Sequence, residues 1–166
     1  MPHLLPMEAV ILVGIQGAGK SSFYRERFFD SHIRINLDML KTRYREALLV
    51  QACILAKQPF VVDNTNVLAS ERARYIEPAR EAGFRVVGYF FPPDIRASIA
   101  RNKKRGGKQA IPVPGLLGTA KRLQEPAPEE GFDRLYTVRL TEANELVIEE
   151  LGRASLRDGS PGAPCG

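Results

Sequence analysis

The glycine-rich segment GIQGAGKS points most directly to chemistry. It spans residues 14–21, follows the apolar run AVILV and has the spacing G-x-x-x-x-G-K-[ST]. Between a buried strand and a helix, such a loop wraps phosphates with its backbone N–H groups, while its lysine reaches the β- and γ-phosphates and its hydroxyl ligates Mg²⁺. We therefore expect ATP and Mg²⁺ as cofactors. The expected ATP-binding residues in this segment are Gly14, Gln16, Gly17, Ala18, Gly19, Lys20, Ser21 and Ser22.

An aspartate follows the second apolar run of the chain. Asp38 comes just after IRIN, and the carboxyl ends of parallel strands are where ligands bind in open α/β sheets. There it would accept the proton of an incoming hydroxyl group. It would equally serve as the N-cap of a helix that begins at Met39. Residue type and position alone do not separate these two roles.

The third apolar run, PFVVD, also ends in polar residues. Asp63 stands where a Walker-B-type carboxylate would lie, so we predict that it holds the metal together with Ser21. Asn64 and Asn66 follow it, and we predict that both contact the substrate. Three strands that end in polar residues at one sheet edge favour the catalytic interpretation of Asp38 over the capping one.

Basic residues are concentrated in one part of a chain whose formal net charge is +5. Between Ile95 and Gln124 there is no Asp or Glu, so this segment faces either an anion or water. Its basic residues are Arg96, Arg101, Lys103, Lys104, Arg105, Lys108, Lys121 and Arg122.

Apolar runs that alternate with helical patterns indicate an α/β fold, a parallel sheet of about five strands flanked by helices, and the glycine-rich loop after the first strand makes it the P-loop NTPase type. The predicted strands are residues 8–14, 33–36, 59–63, 84–91 and 134–140. The predicted helices are residues 20–29, 39–57, 70–82, 94–104 and about 114–123, with a closing helix over 141–151 that Thr141 caps. In the second helix, the spacing predicts a buried face of Leu40, Tyr44, Leu48, Ala52 and Leu55.

Length and composition indicate one folded domain, residues 1–151, and a disordered tail, residues 152–166, which is rich in Gly, Ser and Pro. No apolar stretch is long enough to span a bilayer, and the first residues lack the features of a signal peptide. We therefore expect a cytoplasmic protein with no membrane association and no obligate protein partner.

Four segments in this order and spacing resemble the kinase domain of polynucleotide 5′-hydroxyl kinases, both the phage type and the kinase half of polynucleotide kinase-phosphatases. They are GIQGAGKSSF, INLDMLK, VVDNTNVLASERARYI and RNKKRGGKQAIP. The first is common to all P-loop proteins, whereas the other three together are much more specific. The resemblance covers about residues 8–140.

The resemblance implies the catalytic residues Lys20, Asp38 and Arg105. Lys20 would contact the γ-phosphate, Asp38 would be the general base for a nucleic-acid 5′-hydroxyl group, and Arg105 would neutralise charge on the transferred phosphoryl group. Arg101, one turn before Arg105, would bind ATP on the same helical face. Lys41 falls where the family often has an acceptor-binding arginine. Leu37 replaces a second such arginine, so this chain departs from the family pattern around its acceptor.

Three functions agree with these residues. The first is the ATP-dependent phosphorylation of a DNA or RNA 5′-hydroxyl end. The second is a small-molecule kinase, because the same residues serve any hydroxyl acceptor. The third is a non-catalytic module switched by a nucleotide. Residues 39–62 are nearly all used by one helix and one strand, which leaves no room for a sizeable lid and favours an open site for a macromolecular end.

Overall fold

The computed structural model describes residues 6–105 and 111–152. Within them, six strands form one sheet in the order β2-β3-β1-β4-β5-β6. The first five are parallel, and β6 pairs antiparallel with β5. The predicted α/β fold with a mostly parallel sheet is confirmed. The strands are β1 (Glu8–Val13), β2 (Ile33–Ile35), β3 (Phe60–Val62), β4 (Arg85–Phe90), β5 (Arg134–Leu140) and β6 (Leu146–Gly152).

Six helices connect or flank these strands, and a short 3-10 turn, Pro128–Glu130, precedes β5. They are α1 (Lys20–Arg27), α2 (Leu37–Leu40), α3 (Arg43–Ala56), α4 (Ala69–Glu81), α5 (Ile95–Arg105) and α6 (Val113–Arg122). Alternate residues of β1 supply two separate cores, as expected of a strand buried on both faces. Ile11 packs with residues of α3 and α4 on one face, and Leu12 packs with residues of α1 on the other.

The predicted helix over residues 39–57 is wrong in two respects. First, the segment forms two helices. Helix α2 ends at Leu40, because its C-cap Lys41 has a φ of 71° in the left-handed region. Helix α3 begins after its N-cap Thr42, whose side chain accepts a hydrogen bond from Arg45 N. Second, α3 turns Val50 and Cys53 toward the core. The side chains predicted to be buried are largely exposed, since Tyr44 is 74% and Leu55 is 76% accessible. The helix carries two apolar stripes with the same periodicity, and the predicted stripe is the one that faces solvent.

The predicted closing helix over residues 141–151 is also wrong, because these residues form a hairpin with β5. Thr141 Oγ1 accepts a hydrogen bond from Glu145 N, and Asn144 has a φ of 58°, so both residues build the turn. Leu146 and Ile148 then pack against the core on the α1 side of the sheet. The β-branched Val147 and Ile148 favour a strand, and β5 supplies the backbone partners for it. The predicted tail, residues 152–166, lies outside the described residues except for Gly152, which ends β6.

No helix in the described parts of the chain has both the length and the apolar character needed to cross a membrane.

Candidate active site at the phosphate-binding loop

The loop between β1 and α1 has the conformation that its glycines permit. Gly17 and Gly19 have φ angles of 75° and 98°, which residues with a Cβ atom rarely adopt. A Cβ atom on Gly17 would also lie 2.9 Å from the Ser98 carbonyl oxygen. Gly14 N donates to the Thr65 carbonyl at 3.0 Å, which ties the loop to the end of β3. Because α1 begins at Lys20, its N-terminal N–H groups adjoin the loop, as phosphate binding requires.

Lys20 lies within this loop. Its side chain is mostly buried, and Nζ donates to the carbonyl oxygens of Gly14 and Ile15 at 2.8 and 2.7 Å. It lines a small cavity of about 80 Å³ at the carboxyl edge of the sheet. This cavity brings together residues from the loop, α1, α2 and the end of β3: Gln16, Gly17, Gly19, Lys20, Ser21, Asn36, Asp38, Asp63, Thr65 and Ile111. The structure therefore places the predicted base and both predicted metal ligands beside the predicted phosphate-binding lysine.

Ser21 and Asp63 are in direct contact. Ser21 Oγ donates to Asp63 Oδ2 at 3.0 Å, and Asp63 is only 2% exposed. One hydroxyl and one carboxylate fit Mg²⁺ bound with a nucleotide, because Mg²⁺ in such sites keeps several waters and takes its other ligands from phosphates. The described residues contain no group of three or more His, Cys, Asp or Glu side chains that could hold a metal alone. The donor set therefore matches a metal that is shared with phosphates.

Arg34 is a residue of this site that the sequence interpretation missed. Its Nε and Nη2 atoms both lie 2.8 Å from Asp63 Oδ2, and Nη2 also donates to Ser21 Oγ at 3.1 Å. The sequence held a weak signal for it. In the short strand β2, Ile33 and Ile35 project to one face, so Arg34 projects to the other, where α1 packs. A single basic residue in a strand does not by itself identify the carboxylate it will meet.

Asp38 lies in the first turn of α2 and is exposed. The helix cap is Asn36, whose Oδ1 accepts a hydrogen bond from Met39 N at 3.0 Å. Asn36 Nδ2 donates to the Asp63 carbonyl at 2.6 Å, which joins the start of α2 to the end of β3. The alternative interpretation of Asp38 as the N-cap is therefore wrong, because Asn36 performs that role. Asp38 is left facing the small cavity with its carboxylate accessible.

Asn64 belongs to a buried polar network. Its Nδ2 donates to Glu46 Oε2 at 3.0 Å, and its Oδ1 accepts from Leu37 N at 2.8 Å. Glu46 Oε1 in turn accepts from the Tyr75 hydroxyl at 2.7 Å and from Arg43 Nη1 at 2.9 Å. Burial, followed by the interaction with Glu46, raises the pKa of Tyr75 to about 12. Both ends of the Asn64 amide are used within the protein, and a contact with the substrate stays a prediction.

Asn66 also has a structural role. It is 2% exposed, and its Nδ2 donates to the Leu12 carbonyl at 2.8 Å inside the protein. The backbone carbonyl oxygen of Asn66 accepts a hydrogen bond from Arg72 Nη1 at 2.8 Å. The Asn66 side chain completes the backbone hydrogen bonding next to β1, and its contact with the substrate stays a prediction. The motif that contains both asparagines shapes the sheet edge on which the site is built.

The remaining predicted residues lie on α1, α2 and α5. Arg101 Nη1 donates to the Gly17 carbonyl at 2.8 Å, so α5 is fixed to the phosphate-binding loop. Arg105 is the last residue of α5, one helical turn further on. Ser22 and Lys41 are exposed, Ser22 in the first turn of α1 and Lys41 at the C-cap of α2. The Asn102 side chain donates to the Ile111 carbonyl and accepts from the Ile111 N–H. Ile111 borders the small cavity.

A second cavity of about 430 Å³ lies next to the loop, on the side of α5. Its lining includes Ala18, Ser98, Arg101, Arg139 and Leu140. Ser98 Oγ there and Gln16 Oε1 in the small cavity are buried and have no hydrogen-bond partner among the described residues. Buried polar atoms are normally paired, so these two mark places where a bound molecule would complete the hydrogen bonding. Another cavity, of about 760 Å³ between α3 and α4, lies away from the loop.

The sheet order, the loop after β1 and the residues at the carboxyl edge define a P-loop domain. The model of the AAA domain family matches residues 10–124, more than half of the chain, and the chain belongs to this family. The chain is also 26% identical over 137 residues to the bifunctional polynucleotide phosphatase/kinase of Schizosaccharomyces pombe. That match covers 79% of this chain and 33% of the relative. The resemblance to polynucleotide kinases that the motifs indicated is therefore confirmed.

Solved structures confirm the fold. Kti12 of Chaetomium thermophilum in complex with ADP-AlF3 aligns with a TM-score of 0.59 at 14% identity, covering 82% of this chain and 92% of that chain. A gluconokinase of Sinorhizobium meliloti aligns with a TM-score of 0.54 at 19% identity, covering 79% and 81%. At such identities the likeness shows the fold alone. The gluconokinase, a small-molecule kinase, has this fold.

Proposed function

We propose that the chain is an ATP-dependent kinase that transfers the γ-phosphoryl group to the 5′-hydroxyl end of a polynucleotide. The observation that carries this proposal is the position of Asp38, which lines the same cavity as Lys20, Ser21 and Asp63. A nucleotide-switched module needs the loop and the metal ligands but no exposed carboxylate beside them. The arrangement therefore favours a transferase over a switch.

The roles of the residues follow from this placement. The loop N–H groups and Lys20 hold the β- and γ-phosphates of ATP, and the cavity lined by Ser98 and Arg101 suits the nucleoside. Mg²⁺, held by Ser21 and Asp63, would offset the charge on the phosphate oxygens. Asp38 accepts the proton of the acceptor's hydroxyl group while the oxygen of that hydroxyl group bonds to the γ-phosphorus. The bond from that phosphorus to the β–γ bridging oxygen breaks, ADP leaves, and Arg105 balances the charge that develops on the transferred group.

A polynucleotide acceptor agrees with the surface around Asp38. Asp38 and Met39 are exposed on the short helix α2, so the site is open toward solvent. Lys41, at the C-cap of α2, and Tyr44 and Arg45, at the start of α3, follow as exposed side chains. Two cations would contact phosphates, and an aromatic ring between them offers a base a stacking partner. The polynucleotide phosphatase/kinase among the relatives supports the same acceptor class.

A small-molecule kinase is the second candidate, and the observation that favours it is Leu37. The polynucleotide kinases that this chain resembles often have an arginine directly before the base, and here that position is a half-buried apolar side chain. A strand would therefore lose one phosphate contact. An acceptor that carries no phosphate would lose nothing from this replacement.

Transfer from γ-labelled ATP to a panel of acceptors separates these candidates. The panel contains 5′-hydroxyl DNA and RNA oligonucleotides, the same oligonucleotides with a 5′-phosphate, nucleosides, and sugars such as gluconate. We expect label on the 5′-hydroxyl oligonucleotides and none on the 5′-phosphorylated ones, whose acceptor hydroxyl is blocked. Label confined to nucleosides or sugars would establish the second candidate. ATP binding without transfer to any acceptor would establish the switch.

A further inference from the structure

Arg34 joins the two predicted metal ligands into one unit. From β2 its guanidinium reaches Asp63 with Nε and Nη2, both at 2.8 Å, and Ser21 with Nη2 at 3.1 Å. Its Cζ atom also lies 5.9 Å from the centroid of the Tyr24 ring, a distance at which a cation is attracted to an aromatic face. These contacts fix the guanidinium in one place, because Asp63 holds it from the end of β3 while Ser21 and Tyr24 hold it from α1.

The pair with Arg34 sets the charge that a metal ion meets here. Asp63 is 2% exposed, so its carboxylate requires a charged or hydrogen-bonding partner, and Arg34 supplies both. The carboxylate is then neutralised within the protein before any ion binds. Free Mg²⁺ gives up its waters reluctantly and would have to approach a guanidinium that is already in contact with its ligands. A nucleotide brings Mg²⁺ together with several phosphate oxygens, and their negative charge offsets the repulsion between Mg²⁺ and the guanidinium.

The same contacts orient the Ser21 hydroxyl group. A serine hydroxyl has one proton to donate and two lone pairs. Its proton goes to Asp63 Oδ2, and one lone pair accepts from Arg34 Nη2. One lone pair is left to ligate a metal. Without Arg34 the hydroxyl would keep only its hydrogen bond to Asp63, whose carboxylate would itself have lost the guanidinium, and the ligand pair would be less well preorganised.

We propose that Arg34 is a positioning residue that aligns Ser21 and Asp63 and makes Mg²⁺ binding depend on the nucleotide. The proposal rests on the metal-binding role assigned above to Ser21 and Asp63. It does not depend on whether the acceptor is a polynucleotide or a small molecule. It predicts that removing the guanidinium lets Mg²⁺ alone bind beside the unpaired Asp63, while phosphoryl transfer becomes slower.

The test compares the parent protein with Arg34→Met and Arg34→Lys. Thermal unfolding is followed against MgCl₂ in the absence of nucleotide, with NaCl at matched ionic strength as the reference. We expect no Mg²⁺-specific shift of the unfolding temperature in the parent, which sets an upper limit on its Mg²⁺ affinity. Arg34→Met should be stabilised by Mg²⁺ with an affinity at least about tenfold above that limit, since a neighbouring positive charge has been removed. Arg34→Lys keeps the charge and should behave as the parent does in this measurement.

Steady-state kinetics at saturating Mg²⁺·ATP tests the positioning role. We expect kcat to fall by about tenfold or more in Arg34→Met with a smaller change in KM, because the misaligned ligands act in the transition state. Arg34→Lys should recover only part of kcat, since an ammonium group cannot reproduce the forked contacts. A purely structural arginine would change the unfolding temperature without producing a nucleotide-independent response to Mg²⁺.

Three further variants make the outcome decisive. The double variant Arg34→Met/Asp63→Asn removes both charges, so it should fold and show no response to Mg²⁺ alone. If Arg34→Met is recovered unfolded, Arg34→Gln, which keeps a donor for Asp63, replaces it with the same expectation. Equal Mg²⁺ responses in the parent and the charge-removing variants would overturn the proposal. If Ser21→Ala leaves Mg²⁺·ADP affinity unchanged, the metal site itself is wrong, which is a separate failure.

Discussion

Asn64 Oδ1 accepts a hydrogen bond of 2.8 Å from the backbone N–H of Leu37, the residue immediately before Asp38. The other end of the same amide donates to the buried carboxylate of Glu46 at 3.0 Å, which fixes the orientation of the amide. The short helix that carries the proposed base is thereby held from the core of the protein. We therefore expect Asn64 to influence phosphoryl transfer by fixing the position of Asp38.

Asn64→Ala should therefore lower kcat for transfer by about tenfold while the KM for ATP stays nearly constant, because the loop and the metal ligands keep their own contacts. Steady-state kinetics with varied ATP and varied acceptor provides the measurement. Glu46→Gln is the companion variant and should lower kcat in the same direction, since one of the oxygens that accept from Asn64, Tyr75 and Arg43 becomes a donor. A rise confined to the acceptor KM in Asn64→Ala would instead support the prediction that Asn64 binds the substrate.

Tyr75 makes the network sensitive to alkaline pH. Its pKa is raised from 10.0 to about 12, first by burial and then by Glu46, so the neutral phenol is favoured in the folded state. This contribution to stability is complete below pH 10, the ordinary pKa of tyrosine in the unfolded chain, and is lost as the pH rises toward 12. Urea unfolding at a series of pH values should show about 1–2 kcal/mol less loss over this range in Tyr75→Phe than in the parent. Parallel pH curves for the two proteins would contradict this assignment.

The sequence predicted the sheet well and the site partly, for identifiable reasons. The five parallel strands are short apolar runs bounded by turn residues, and each was located to within one or two residues. The phosphate-binding loop carries its own signal, because its spacing describes a single backbone structure. Asp38 and Asp63 were placed together by a general rule about the carboxyl ends of parallel strands, and the structure brings them to one cavity.

What the sequence could not supply were relationships between distant residues. Arg34 meets Asp63 only because β2 lies next to β3, and this neighbour relation is not visible in either segment alone. The exposed stripe of α3 has the same periodicity as its buried stripe, so composition did not decide which faces the core. Asn64 and Asn66 were assigned to the substrate because they are polar, although the protein itself uses their amides.

Lys20→Ala should abolish phosphoryl transfer. The loop N–H groups remain in this variant, but they do not replace a full positive charge at the β- and γ-phosphates. Lys121→Ala is a suitable control, because it removes a positive charge at an exposed position of α6 that lines neither cavity beside the loop. Transfer rates from γ-labelled ATP give the measurement. Undiminished turnover in Lys20→Ala would remove the loop from the mechanism.

Arg105→Ala should lower kcat more than it raises the KM for ATP, because its charge is needed mainly in the transition state. Arg105→Lys should recover only part of the loss, since a point charge replaces a planar fork. Arg101 contacts the Gly17 carbonyl, so Arg101→Ala should instead weaken ATP binding by loosening the loop. Single-turnover rates and nucleotide affinity, measured for both variants, distinguish the two effects. A change in Arg105→Ala that is limited to KM would make it a binding residue.

Asp38→Asn tests the proposed base with little structural disturbance, because Asn36 and not Asp38 caps α2. Its side chain is exposed, so an amide in place of the carboxylate creates no buried unpaired group. We expect ATP binding and the unfolding temperature to match the parent, while transfer to the acceptor falls by about 10² or more, the usual scale for general-base catalysis. Asp30→Asn, another exposed aspartate to asparagine change, provides the control for altered net charge. Transfer by Asp38→Asn within a few-fold of the parent would show that another group accepts the proton. Asp63 would not easily take that role, since its Oδ2 already receives hydrogen bonds from Ser21 and Arg34.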